Sequence, residues 1–532
     1  QLTNFYRAGV QLALAICVAY FKEKIPHNYK FAFFSTLFIG LLIHLYKFTN
    51  TLPNHDSLYN FYSDQNVLGS GRWALSLACG FSSYYDLPWV IGLFSIVFLA
   101  LTVVVIVALF RIQNPIIIAL SGGILASAPA TTETFFFLYT ADGYMLAMFL
   151  AALAVYCSRI GQNRPHQIAL SAALICIVCG IYQSYVPFAL VLSTIYFIYE
   201  LFQGDTSLKS CLKWIRNQVI LFATALISYY IIWKLLLFLS NTGANHYQGI
   251  DEIGHFSIAL IINAFIDCIR VPLRYFLQWD ILAHGASPYS MLNLLFFVFT
   301  IAICIYALVK STLYRQRGKT ILLLLSLVVI PLFSCIWSFV SLDIIHRPMM
   351  LQSLSLLYLL CALLFERWAG LKWKNILGIL LAIIIVNNAL MANISYHYMD
   401  LSYERSYADG IEMMLRIHEA QDKSDVKRIA VIGSRRAEVQ FFSVDPITQK
   451  NTPVSNIHLL VTMLEPNLLF DAEHTVLFLQ NIFGLELDAL SNAELKDLSQ
   501  TEPVKNMGLW PAKDSVSVIG DTVVIKLAES EK

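Results

Sequence analysis

Long apolar runs alternate with short polar stretches along the first three quarters of the chain. Most of these runs have about 16–23 residues, which is close to the length that a helix needs to cross the hydrocarbon core of a bilayer. The pattern predicts about eleven membrane spans. They lie at residues 31–48, 88–110, 115–131, 142–157, 167–183, 186–203, 217–239, 289–309, 320–341, 349–365 and 375–395.

Two further apolar stretches predict helices that lie at the membrane surface instead of crossing it. Ala8–Phe21 is too short for a span. Ile258–Trp279 is amphipathic and carries Arg270 and Arg274 one turn apart. The second stretch belongs to a long loop, residues 240–288.

The pattern changes near residue 396, where polar residues become frequent. Residues 396–532 carry more acidic than basic side chains, whereas residues 1–395 carry the opposite excess. We therefore predict three parts: an N-terminal interfacial segment over 1–30, a membrane domain over 31–395 and a soluble acidic domain over 396–532.

The last part has the pattern of an α/β domain. Tyr403–Gln421 is typical of a helix, and Arg428–Gly433 and Thr475–Leu479 are typical of short strands. Ser515–Ile519 and Thr522–Leu527 are separated by Gly520-Asp521, which predicts a β-hairpin.

Composition supports a polytopic membrane protein. The chain is 58% apolar and only 13% charged, and its mean hydropathy is +0.64. These values exclude a disordered or wholly water-soluble protein. None of the ten cysteines lies after Cys361, and most lie in apolar runs, so no disulfide framework or zinc site is predicted.

The distribution of basic residues predicts the orientation. The outer loops before residue 396 hold only Arg72, Arg270, Arg274 and Arg347 when the N-terminus is placed in the cytoplasm, and most other Lys and Arg residues then lie inside. This arrangement satisfies the positive-inside rule. With an odd number of spans, the domain over 396–532 lies on the outer side.

His44 lies within the first span and is predicted to be a packed core residue.

The first outer loop, residues 49–87, has the densest set of polar residues. It places Asp56 and Arg72 at one membrane interface. A carboxylate there can take a proton from an incoming hydroxyl, and an arginine can hold a phosphate through two parallel hydrogen bonds. Alternatively, Asp56 caps a loop helix and Arg72 extends towards lipid headgroups.

These residues carry a resemblance to a known family. His55-Asp56 in the first outer loop, Gly71-Arg72-Trp73 before the second span and Ala141-Asp142-Gly143-Tyr144 at the fourth resemble the Gtr-type O-antigen glucosyltransferases. Those enzymes are similar to the wider GT-C class of polytopic glycosyltransferases. The resemblance implies a GT-C-like membrane domain, Asp56 as the catalytic base and undecaprenyl-phosphate-linked glucose as the donor. Related enzymes often have paired aspartates, so either His55 or Asp64 takes the second acid/base or metal-binding role.

Further polar residues lie at the predicted outer face, each with a structural alternative. Asp142 either binds sugar or caps its helix. Gln183 and Tyr185 either bind sugar hydroxyls or satisfy the backbone of a tight turn. In the loop containing His346 and Arg347, His346 is a candidate for sugar or acceptor binding, and Arg347 either clamps the donor phosphate or pairs with Asp343.

The combined hypothesis is an inverting glycosyltransferase of the bacterial inner membrane. It moves a hexose from undecaprenyl phosphate to an O-antigen-type polysaccharide or glycolipid at the periplasmic face. The resemblance implies that this hexose is glucose. Arg72 and Arg347 are the first candidates for the donor phosphate, and Arg270 and Arg274 are the second. The sequence requires no cofactor, although a divalent cation at Asp56 or Asp64 stays an alternative. Membrane lipids are expected partners, and nucleic acid is not.

Two other functions remain open at this point. A lipid-linked glycan ligase or polymerase handles the same class of carrier. A transporter or flippase is a non-enzymatic alternative, but paired broken helices and charges near the membrane midplane are not evident. We expect the domain over 396–532 to lie over the outer loops and orient the acceptor. The alternative is that it only stabilises the bundle.

Overall fold

The computed structural model describes residues 24–160, 164–204, 206–246, 257–277, 288–422, 425–435, 464–465 and 467–529. The interfacial helix expected over Ala8–Phe21 lies outside these residues. The membrane part consists of α-helices joined by short loops and 3₁₀ turns. Its helices are α1 His27–Thr49, α2 Ser57–Asn60, α3 Leu75–Cys79, α4 Pro88–Phe110, α5 Pro115–Ser127, α6 Pro129–Thr134, α7 Ala141–Cys157, α8 Pro165–Ile181, α9 Val186–Gln203, α10 Leu208–Ser240, α11 Ile258–Leu277, α12 Pro288–Lys310, α13 Arg317–Ser334, α14 Gln352–Trp368 and α15 Leu371–Gln421.

Eight helical segments within the described residues are long and apolar enough to cross a membrane. These are His27–Thr49, Pro88–Phe110, Pro129–Cys157, Gln183–Gln203, Leu208–Ser240, Tyr289–Lys310, Arg317–Ser334 and Lys372–Gln421. The three other predicted spans fall on the shorter helices α5, α8 and α14, of 13, 17 and 17 residues. The protein is thus a polytopic helical membrane protein with a small C-terminal α/β region.

Proline explains why α5 is short. Ala128 precedes Pro129 and has an extended conformation, with φ −55° and ψ 138°. Proline disfavours the helical conformation in the residue before it. One apolar run is therefore divided between α5 and α6, and α6 leads into the site described below.

His44 is a buried connector between distant helices, which confirms that it is a packed core residue. Its side chain on α1 is fully buried. Nδ1 lies 2.7 Å from the hydroxyl of Tyr396 on α15, and Nε2 lies 2.8 Å from the carbonyl oxygen of Ala126 on α5. Both ring nitrogens therefore have partners, as buried polar groups require.

The amphipathic helix predicted in the loop 240–288 is confirmed as α11 over its described part. One face, including Leu260, Ala264 and Val271, is buried against the bundle. Ile262 and Phe265 are among the apolar side chains left exposed. An apolar surface of this kind suits a helix in contact with lipid.

The last helix joins the membrane part to the C-terminal region without a break. α15 has 51 residues, and it includes the predicted helix Tyr403–Gln421. The composition boundary at residue 396 therefore lies inside a continuous helix. Tyr396 packs in the bundle core, whereas Met413 packs in the core of the C-terminal domain.

The C-terminal domain contains a four-stranded sheet with the order β2-β1-β4-β3. β1 pairs in parallel with β2 and β4, and β3 and β4 form the predicted antiparallel hairpin. Its elements are β1 Arg428–Ile432, α16 Ala472–Phe483, β2 Asp488–Ala489, α17 Asn492–Ser499, α18 Glu502–Lys505, β3 Val516–Ile519 and β4 Thr522–Lys526.

The strand predicted at Thr475–Leu479 is wrong, because these residues belong to α16. Asp471 caps this helix by accepting a hydrogen bond from the backbone N–H of His474 at 2.9 Å. The buried residues His474, Thr475, Phe478 and Leu479 recur at the spacing of a helical face. A short apolar run does not by itself distinguish a buried strand from a buried helix.

Candidate active site

Asp56 occupies the N-cap position of the short helix α2, but its side chain has no role in capping it. Asn54 performs the capping, because its Oδ1 accepts a hydrogen bond from the backbone N–H of Ser57 at 2.8 Å. The side chain of Asp56 makes no cap hydrogen bond, and 42% of it is exposed. The alternative in which Asp56 caps the loop helix is therefore wrong, and its carboxylate is available to a ligand.

Arg72 is held against two tyrosines by the turn that precedes it. Gly71 has a φ of +77°, and a Cβ atom at this position would lie 2.2 Å from the Tyr229 hydroxyl. Nη1 of Arg72 donates to the hydroxyl of Tyr144 at 3.1 Å, and the guanidinium lies 4.5 Å from the ring centre of Tyr182. The two tyrosine rings are stacked 4.4 Å apart. A guanidinium over an aromatic face is oriented by cation–π attraction.

Arg347 precedes the 3₁₀ turn Pro348–Met350, which is attached to α6. The carboxylate of Glu133 accepts a hydrogen bond from the backbone N–H of Met349. Glu133 is fully buried. Asp343 is exposed, and the described ion pairs include none between it and Arg347, so the predicted pairing of these two residues is wrong.

One polar cavity brings the three predicted residues together. It has a volume of about 300 Å³, and its lining includes Asp56, Arg72 and Arg347 together with Tyr59, Tyr144 and Tyr182. A carboxylate and two guanidinium groups thus face one space. A proton acceptor and two groups that bind phosphate are the requirements of glycosyl transfer from a lipid phosphate.

His55 lies beside the carboxylate of Asp56, with Nε2 3.5 Å from Oδ1. Burial lowers the pKa of His55 below its usual value, although the charge of Asp56 acts in the opposite direction. A neutral imidazole at pH 7 is the consequence, because the ordinary pKa of histidine is already about 6.5. His55 can therefore accept or donate a hydrogen bond next to Asp56 without carrying a charge.

Asp64 and the two arginines of α11 lie outside the cavity lining. Asp64 is exposed, and its Oδ1 accepts a hydrogen bond from the backbone N–H of Asn66 at 3.0 Å. Arg270 and Arg274 are exposed on α11. Their predicted roles with a metal or the donor phosphate stay predictions.

The predicted sugar-binding residues also lie outside the lining, and three of them make structural contacts. Gln183 donates to the Ser70 carbonyl oxygen at 2.8 Å. His346 lies 2.6 Å from the hydroxyl of Ser338 and 3.6 Å from Asp267 of α11. The neighbouring imidazole of His346, together with the Ser338 hydroxyl that donates to Asp267 at 2.8 Å, lowers the pKa of the Asp267 carboxyl. Asp142 is buried.

The contacts of Asp142 and Gln183 bear on the structural alternatives that the sequence left open for them. Thr140, not Asp142, is the N-cap residue of α7, and Asp142 accepts from the N–H of Gly143 at 2.8 Å. Thr140 makes no side-chain cap hydrogen bond, so Asp142 satisfies a backbone N–H at the start of α7, as the structural alternative expects, but from inside the first turn and not from the N-cap position. The Gln183 contact is the backbone-satisfying alternative, and Tyr185 is buried. Sugar or acceptor binding by Asp142, Gln183, Tyr185 and His346 stays a prediction.

Sequence reasoning did not single out Glu133, Tyr59 or Tyr182. Glu133 has a weak sequence signal, because it is one of the acidic residues at the predicted outer face, two residues after the predicted span 115–131. Tyr59 and Tyr182 have no comparable signal, because tyrosine is common in this chain and their positions depend on packing. In the described part of the chain, no group of three or more His, Cys, Asp or Glu side chains is arranged to hold a metal ion.

Comparison with known proteins gives one family. A family model described as Glucosyl transferase GtrII matches residues 45–359, which is more than half of the chain. The chain belongs to the GtrII glucosyltransferase family. The matched region begins near the end of α1 and ends within α14, so it contains Asp56, Arg72 and Arg347. No curated protein and no solved structure matches the chain.

Membership of the GtrII family identifies the protein as a glucosyltransferase. The helical bundle makes it a membrane glucosyltransferase, in agreement with the resemblance seen in the sequence. The family therefore implies a sugar donor and a glycan acceptor. Asp471 and His474 of the C-terminal domain lie outside the region matched by GtrII.

Proposed function

We propose that the protein transfers glucose from undecaprenyl phosphate to a hydroxyl of an O-antigen-type polysaccharide, with inversion, at the outer face of a bacterial inner membrane. The observation that carries this proposal is the shared cavity of Asp56, Arg72 and Arg347. The arrangement places a proton acceptor and two phosphate-binding groups within one space.

The reaction is a single displacement. Asp56 accepts the proton of the acceptor hydroxyl while the hydroxyl oxygen forms a bond to the anomeric carbon of glucose. The bond between that carbon and the phosphate oxygen breaks, and the phosphate leaves with the electron pair. The transition state resembles an oxocarbenium ion, as in glycoside hydrolysis, and attack from the face opposite the phosphate inverts the anomeric centre.

The arginines stabilise the charge that grows on the departing phosphate. Groups that are already oriented where charge develops lower the barrier without reorganising. Arg72 is held by Tyr144 and Tyr182, and the turn after Arg347 is held by Glu133. Near them, Gln65 donates to Asn60 at 3.0 Å. Both residues line the cavity and provide amide side chains of the kind that bind sugar hydroxyls.

An apolar cavity supports a lipid-linked donor. It has a volume of about 650 Å³ and lies between α9, α11, α12, α13 and α14. α14 begins at Gln352, directly after the turn whose Met349 lines the polar cavity, and Leu354 and Leu357 line the apolar one. A phosphate at Arg347 can therefore continue into an isoprenoid chain bound along α14.

The deciding experiment uses purified protein in sealed vesicles, undecaprenyl phosphate carrying labelled glucose, and an O-antigen-type acceptor. Transfer of one labelled glucose supports the proposal, and the anomeric configuration of the product tests inversion. Transfer of a whole glycan from a lipid-linked glycan would instead identify a ligase or polymerase. Movement of the donor across the vesicle without transfer would identify a flippase. Adding a chelator to the same assay tests whether a divalent cation takes part.

A further inference from the structure

The C-terminal domain packs directly on the helix that follows Asp56. Leu58 of α2 is buried in a cluster with Leu468, Leu469 and Phe478 of that domain. The side-chain amide of Asn481 donates to the carbonyl oxygen of Leu58 at 2.8 Å. The first outer loop and the C-terminal domain therefore lie at the same end of the bundle, and the domain supports the backbone next to the proposed base.

Within this contact, Asp471 and His474 form a hydrogen-bonded pair. Nδ1 of His474 lies 2.7 Å from Oδ1 of Asp471. An ionised carboxylate only accepts hydrogen bonds, so Nδ1 donates, and in the neutral ring Nε2 is the acceptor. Nε2 is buried and has no hydrogen-bond partner among the residues that the structure describes.

The ring of His474 contacts residues on both sides of Asp56. Its centre lies 6.0 Å from the centre of His55 and 5.4 Å from that of Tyr59. His55 in turn places Nε2 3.5 Å from the Asp56 carboxylate. Its other nitrogen, Nδ1, is buried and also lacks a partner within the described ranges. Leaving such polar groups unsatisfied in a buried environment is costly.

We propose that His474 is a positioning residue for the base. One water molecule between the two rings donates to Nε2 of His474 and to Nδ1 of His55, and His55 in turn orients the carboxylate of Asp56. Asp471 holds the His474 ring in the required tautomer. The active site is therefore completed by the C-terminal domain. This inference rests on the proposed function, in which Asp56 takes the proton of the acceptor hydroxyl.

Two substitutions of His474 separate positioning from structural support. His474→Asn keeps an amide near the position of Nδ1, which preserves the bond to Asp471, but it has no group at the position of Nε2. His474→Gln reaches the position of Nε2 instead. We expect the kcat of the Asn variant to fall by about tenfold or more. This loss is part of the rate enhancement that a positioned proton acceptor usually contributes. We expect the Gln variant to keep most of its activity, with donor Kd unchanged in both.

The matched control is His418→Asn on an exposed position of α15, which should behave as wild type. The inference would be overturned if the His474→Asn variant had the wild-type kcat or was more active than the His474→Gln variant. Either result would mean that the bond to Asp471, and not a group at the position of Nε2, supports activity. Absence of transfer by the wild-type protein would instead contradict the proposed function, so the two failures are distinct.

Discussion

Asp56 keeps its carboxylate available because neighbouring residues perform the structural roles in its loop. Asn54 satisfies the backbone at the start of α2, and Asn60 donates to the Asp56 carbonyl oxygen at 2.8 Å. The carboxylate itself contacts only the edge of His55 among the described hydrogen bonds and ion pairs. A single change at this residue should therefore affect chemistry much more than folding.

Asp56→Asn should abolish transfer while leaving the fold intact. The amide has nearly the same shape, but it cannot take the proton of the acceptor hydroxyl. We expect a loss of kcat of about 10²-fold or more. Asp497→Asn, at an exposed position of α17, is the control and should be active. If the Asp56→Asn variant kept more than about a tenth of the wild-type rate, equal to a loss below about 1.4 kcal/mol, Asp56 would not be the base.

Arg347→Lys should weaken both donor binding and turnover. Lysine keeps the charge but loses the planar pair of donors that binds a phosphate through two hydrogen bonds. We expect kcat/KM for the lipid-linked donor to fall by about tenfold or more, since hydrogen bonds to charged groups contribute about 1.5–3 kcal/mol. Arg317→Lys, at the exposed start of α13, is the matched control. Equal effects of the two substitutions would remove Arg347 from the donor site.

At the scale of elements, the site depends on a contact between α6 and the turn Pro348–Met350. Glu133 lies in a buried position of α6, and its carboxylate accepts a hydrogen bond from the backbone N–H of Met349. The same turn follows Arg347 and precedes α14. This hydrogen bond therefore positions the backbone of Arg347 and the start of α14, whose residues line the apolar cavity.

Glu133→Gln and Glu133→Leu should differ strongly. Glutamine retains an oxygen that accepts the Met349 N–H, whereas leucine leaves that N–H buried without a partner, at a cost of about 1–3 kcal/mol. We expect the Gln variant to bind donor nearly as wild type and the Leu variant to bind it about tenfold more weakly. Donor Kd and thermal unfolding measure the two effects. Equal donor affinity in the two variants would show that this hydrogen bond does not position the turn.

At the scale of the whole molecule, the continuous helix α15 and the packing on α2 connect two parts that differ in composition. α15 carries the chain from the bundle core into the C-terminal domain, and the domain returns to cover the first outer loop. The loop, the polar cavity and the C-terminal domain must therefore lie on one side of the membrane.

Reporter fusions test the predicted orientation. A reporter after Lys532 should be exposed to the periplasm, and one after Gly318 should stay in the cytoplasm, because basic residues concentrate in the predicted inner loops. Protease or alkylation accessibility in intact cells and in inverted vesicles provides the measurement. Finding both reporters on one side would contradict the orientation and place the cavity on an unexpected face.

Several features of this protein follow from local sequence. Apolar runs of membrane length become helices, because a chain in lipid must satisfy its backbone hydrogen bonds within the segment. The amphipathic helix α11 and the hairpin at Gly520-Asp521 follow from equally local patterns. The short motifs containing Asp56 and Arg72 were also sufficient to indicate the family.

Other features depend on tertiary structure. Thr475–Leu479 became a helix because Asp471 caps it and one of its faces is buried. Arg347 faces the cavity of Asp56 and Arg72, and His474 packs against His55. No local pattern predicts these contacts, since they join residues that are distant in the sequence. Local propensity determines which segments become helices. The polar groups that share a buried space are determined only when the helices pack and each buried donor or acceptor finds its partner.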